Sequence, residues 1–155
     1  MRFWYSAILV LVATCPMAVG AWAQEQHIKR SDLPPAVRKT ADEQSRGATL
    51  RGYFRETEAG QLEYEVATTR HGRSRDVSIA PDGTVLEIEE EVELASLPEA
   101  VRAGLVQRAG AGTITKVETL TKHGRLVAYE AQVRTGARRS EVQVGPGGQP
   151  LLHPE

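Results

Sequence analysis

The tightest constraint on this chain is a phrase it uses twice. Residues 33–37 read LPPAV and residues 97–101 read LPEAV. Two further blocks follow in the same order. GQLEYEV (60–66) is matched by GRLVAYEAQV (124–133), and RDVSIAPDGTVLE (75–87) by SEVQVGPGGQPLL (140–152). After the first block the offset between copies grows by one, which places an extra residue between Leu126 and Tyr129. Ordered matches with a single slip indicate an internal duplication, so one kind of unit should be built twice.

Each copy opens as a helix. In the second, Leu97, Val101 and Leu105 recur at i, i+4 and i+8 and form an apolar stripe; in the first, Leu33, Val37 and Ala41 do the same. Pro98, Pro34 and Pro35 fall in the first turn, where a missing N–H costs nothing. Ser96 and Glu99 have the spacing of a capping box, and Asp32 is the matching cap in the first copy. Past each helix the period becomes two. Residues 50–56 and 114–120 read as strands, Leu62, Tyr64 and Val66 alternate with polar residues, and Val77 and Ile79 do so again. His71-Gly72, Pro81-Asp82-Gly83 and His123-Gly124 are turn signals. The expected fold class is therefore α+β: two tandem repeats, each one helix packed on a four-stranded antiparallel sheet. The extra residue calls for a β-bulge between Val127 and Tyr129. Gly147-Gly148-Gln149-Pro150 makes the last strand of the second copy a poor one.

The first 23 residues stand apart from this pattern. MRFWYSAILVLVATCPMAVGAWA carries one cation, Arg2, then an apolar stretch, then the A-x-A sequence Ala21-Trp22-Ala23. That is the layout of a secretory signal peptide cleaved between Ala23 and Gln24. The apolar run is short against the roughly 20 residues a membrane helix needs, and Cys15-Pro16 interrupts it. Lipid attachment at Cys15 is the rival reading. The expected division is 1–23 signal peptide, 24–30 flexible N-terminus, 31–93 first repeat, 94–152 second repeat and 153–155 tail. The expected location is periplasmic or extracellular, with no membrane association after cleavage. Cys15 is the single cysteine of the chain, so the cleaved protein has no disulfide to lean on. A formal net charge of −1 gives no electrostatic case for nucleic acid or an anionic membrane.

LPxAV, a strand, YEV, a turn and then V-x-I/V-x-P-x-G-x-x-L together resemble the PepSY-like family of secreted bacterial proteins, described as β-lactamase-inhibitor-like by fold. The resemblance covers nearly all of the chain after residue 23. It implies a helix on a four-stranded antiparallel sheet, and non-enzymatic binding of a protease or another envelope protein, with no catalytic residues to carry over.

The residues themselves offer little chemistry. His27, His71, His123 and His153 include no pair at helical i, i+4 spacing, so no zinc helix of the HExxH kind is present. No G-x-S-x-G elbow occurs, and Gly110-Ala111-Gly112 follows a helix and reads as its stop. No enzyme, metal site or cofactor is expected. What remains is a surface: a helix covers one face of a sheet and leaves the other open. Period-two counting assigns Arg51, Tyr53, Arg55, Glu63, Glu65, Glu87 and Glu89 to that open face as the partner-binding set. Tyr53 between two arginines is the natural hot spot. The expected function is a secreted or periplasmic binding module that inhibits or modulates a protease or other envelope protein through this face. The alternative is a periplasmic sensor binding a cation or small ligand at the acidic strand 87–93.

Overall fold

The computed structural model describes residues 25–58 and 60–155. The segment 1–23, Cys15 and the Ala23/Gln24 cleavage point lie outside the described residues. Eight strands run antiparallel in a single sheet whose spatial order is the chain order. They are β1 (Gln26–Ile28), β2 (Thr49–Glu58), β3 (Gln61–Arg70), β4 (Arg73–Ile79), β5 (Val85–Glu91), β6 (Thr113–Lys122), β7 (Arg125–Thr135) and β8 (Arg138–Val144). The helix α1 (Pro35–Gln44) precedes β2, and α2 (Glu99–Ala109) precedes β6.

This corrects the expectation of two repeats, each with its own four-stranded sheet. β5 pairs with β6 from Glu87↔Lys122 to Glu91↔Glu118, and that seam fuses both halves. The physical reason is the exposed edge: a strand with a row of unpaired N–H and C=O groups is the natural partner for another. The stretch 24–30, expected to be loose, supplies β1, which pairs with β2 and buries Ile28. At the other end β8 is followed by only one bridge, Val144↔Pro150. Proline cannot extend a ladder, so no further strand forms there.

Both helices lie on the same face. The stripe Leu33, Val37 and Ala41 packs on Tyr53, Tyr64, Val66, Val77 and Ile79. The stripe Leu97, Val101 and Leu105 packs on Val117, Tyr129, Ala131 and Val144. Each buried Val, Leu or Ile among them contributes about 1.5–3 kcal/mol relative to exposure. The two clusters stay separate beneath one sheet.

The helix starts differ from the expected caps. Ser96 belongs to a 3₁₀ turn, Leu94–Ser96, and its hydroxyl donates to the Glu93 carbonyl at 2.8 Å. Asp32 closes the matching turn, Arg30–Asp32, and accepts from the Lys29 N–H at 3.0 Å. Pro98 and Pro34 are the residues that flank α2 and α1, each extended, with no side-chain cap. A proline fixes the entry angle and leaves the short polar side chains free to close the turn before it.

Four bulges interrupt the ladders. The register skips Arg51 in β2, Leu86 in β5, Thr115 in β6 and Val127 in β7. Val127 falls where the sequence comparison placed the extra residue.

Candidate functional site

The face opposite the helices is uncovered, and the strand registers decide what it carries. Cross-strand partners share a face. Glu65 pairs with Ser78, Ala67 with Asp76, Asp76 with Glu89, Glu89 with Leu120, and Leu120 with Ala128. Glu87 pairs with Lys122 and Glu118 with Glu130 on the same side. The result is a trough of about 120 Å³ lined by carboxylates from five strands, β2 to β5 and β7, with the C-terminal Glu155 at its rim. Ala67, Leu120 and Ala128 are buried and give it an apolar floor.

That floor sets the electrostatics. Burial pushes the Glu89 carboxyl up to about 8, with Glu118 and Glu87 adding to the shift. Burial likewise raises Glu65 to about 7, assisted by Asp76. Glu87 and Glu130 are raised by burial as well, against the pull of Lys122 and Gln143. A carboxylate held over apolar atoms and beside like charges favours its neutral form. Cations temper part of the field. Arg51 pairs with Asp76 and donates through Nε to the Thr68 carbonyl at 3.1 Å. Lys122 stands 3.4 Å from Glu87, and Lys116 pairs with Glu118. The Gln143 amide donates to Glu130 at 2.8 Å. Glu65 and Glu89 have no hydrogen-bond or ion-pair partner among the described residues.

Carboxylate oxygens of Asp76, Glu89 and Glu118 converge to within 4.8 Å of one another, drawn from β4, β5 and β6. Three hard oxygen donors of this kind suit a divalent cation better than a strand alone does.

Of the residues expected on this face, Arg51, Glu63, Glu65, Glu87 and Glu89 are on it. Tyr53 is not: it is 8% exposed in the core beneath α1. Arg55 pairs with Tyr64 and shares Tyr53's side, where its guanidinium reaches the Gln26 side chain. The bulge at Arg51 explains the error, because one unpaired residue reverses the alternation after it. Asp76, Glu118 and Glu130 belong to the site and escaped sequence reasoning. Their signal was one acid in each of β4, β6 and β7, but it needs the β5–β6 seam to bring both halves together.

No family model matches the chain, and no curated protein matches it in sequence. Solved structures do. A protein from Bacteroides eggerthii described as periplasmic aligns with a TM-score of 0.61 at 16% identity, covering 75% of this chain and 84% of its own. A DUF2874 family protein from Bacteroides ovatus aligns at 0.59 and 18%, covering 77% and 86%. A BLIP-like protein from Bacteroides fragilis aligns at 0.55 and 18%, covering 75% and 81%. The fold is BLIP-like. Both helices of this chain pack on one face of the sheet, and the acidic trough lies on the other.

Proposed function

We propose that this chain is a non-enzymatic binding module of the periplasm that holds a protein with a cationic surface against the acidic face of its sheet. One observation carries the reading: Glu65, Asp76, Glu87, Glu89, Glu118 and Glu130 gather from both halves onto one uncovered face. A cationic partner would return the Glu65 and Glu89 carboxyls to their charged form and find opposite charge already gathered there. The periplasmic description of the Bacteroides eggerthii neighbour and the A-x-A segment at 21–23 support the location. The PepSY-like resemblance supports a partner such as a protease, held or inhibited rather than processed. The test is affinity capture from an envelope extract with the wild-type chain and with a Glu65→Gln, Glu87→Gln, Glu89→Gln variant. A specific basic protein retained by the first and lost by the second is the expected result. Equal capture by both would remove the acidic face from the account.

A second reading is a cation sensor. It is favoured by the convergence of Asp76, Glu89 and Glu118, which moves the expected ligands from the single strand 87–93 to three neighbouring strands. Calorimetry with Ca²⁺ separates the two, since an absence of heat and of any melting shift would end it.

A further inference from the structure

The acidic trough leaves the far end of the sheet unexplained. β8 is the outer strand there. Its inner edge is fully paired with β7; among the described residues its outer edge has a single backbone bridge, Val144↔Pro150, and the tail returns to the strand through the Glu155 N–H, which donates to the Gln143 side chain at 2.8 Å. Arg138, Arg139, Ser140 and Glu141 are all exposed. The opposite outer strand, β1, has three residues, whereas β8 has seven and no bulge. A long, regular outer strand without proline is an open template for a further strand. A hollow of about 550 Å³ beside it is lined by Lys116, Gln132, Arg134 and Glu141. A second, of about 490 Å³, is lined by Arg108, Val142, Leu151 and Leu152, and Leu152 is 96% exposed.

The charges on β8 choose the strand that fits. Arg139 and Glu141 flank Ser140, and both lie on the helix-free side, opposite Arg134 and Gln132. We propose that β8 joins two copies of this chain, paired antiparallel about a two-fold axis at Ser140, so that Arg139 of each copy stands opposite Glu141 of the other. Such a pairing is self-complementary, as a two-fold interface must be. It also keeps the helix faces of both copies on one side, which restricts slippage to steps of two residues. A slip one way sets Arg139 against Arg139, and a slip the other way sets Glu141 against Glu141. Like charges directly opposed are unfavourable, so the register centred on Ser140 is selected. The paired sheet has sixteen strands, twice the eight of one copy.

Sedimentation velocity on the purified protein tests this across a concentration series. The wild type should reach the dimer mass. Arg139→Glu and Glu141→Arg should each weaken association at least about tenfold, since each creates two like-charge contacts. The double variant should restore it. Circular dichroism checks that each variant is folded, which the exposure of both side chains favours. A monomer at every concentration overturns the proposal, and an acidic segment of another protein then becomes the better occupant of this edge. A dimer indifferent to either reversal, or a double variant that stays monomeric, overturns it too.

Discussion

Asp76 and Glu89 are direct partners across β4 and β5, two carboxylates opposed on one face of a sheet. Arg51 partners the first, and none of the described side chains partners the second. Opposed like charges cost stability unless one is neutral, and Glu89 is the member pushed toward neutrality.

Stability should therefore fall as pH rises from about 5 to about 8. Glu65 and Glu89 have folded values of about 7 and about 8, above their ordinary 4.5. The folded state then binds more protons than the unfolded state within that window, and the advantage is lost on passing the folded values. After allowance for partial solvent access, the loss is about 2–3 kcal/mol. Below about pH 4 the sign reverses, because Asp42, Asp82 and Glu91 are lowered by Arg30, the Thr84 N–H and Ser74. Urea unfolding at pH 3, 5, 6.5 and 8 should show a maximum near pH 5, and a flat profile from 5 to 8 would refute the assignment.

Glu89→Gln isolates the main contributor. It should raise stability at pH 8 by about 1–2 kcal/mol and change it little at pH 5, where the native carboxyl is already neutral. The pH dependence of the denaturation midpoint reads this directly, and an equal gain at both values would point to packing instead of charge.

Tyr53→Ala should destabilise by about 3–5 kcal/mol, as a buried aromatic does on truncation. Arg51→Ala should cost less than about 1 kcal/mol, since its guanidinium is substantially exposed. It should also tighten capture of a cationic partner by removing a positive charge from the trough. Weaker capture would show that Arg51 itself contacts the partner.

Gly148 and Gly83 occupy corresponding turns. Each has φ near +85°, and each is tucked against the first turn of its helix, at the Ala100 and Ala36 carbonyls respectively. Gly124 has φ +75 with open space around it. Gly124→Ala should cost about 1 kcal/mol from backbone strain alone. Gly148→Ala adds a collision with backbone and should cost about 3 kcal/mol or more. Thermal melts of the two variants should differ by several degrees.

The helices were legible because LPxAV marks a proline entry and an apolar stripe in the same few residues. Turns at His71-Gly72 and His123-Gly124 were legible because both histidines take positive φ beside a glycine. The alternation of β2 misled, since the bulge at Arg51 sends Arg51 and Tyr53 to opposite faces although they are two residues apart. Bulges have no composition signal, except at Val127, where comparing the two copies exposed the extra residue. The β5–β6 seam was illegible for another reason. Strand edges pair through backbone groups that every sequence carries, so nothing in residues 87–91 or 118–122 announces whom they meet. The acidic site depends on that seam and was read only in its first half.

The strand order along the sheet repeats the order of synthesis. No strand has to wait for a partner from a distant part of the chain. Each loop to be closed is a hairpin or a single helix, so the entropy of closure is met in small instalments. The N-terminal half contains its own packed cluster, and β5 is the edge on which β6 and the second half pair. For a chain built this way, the folding rate should depend more on turn chemistry at Gly60, Gly72, Gly124 and Gly136 than on its overall length.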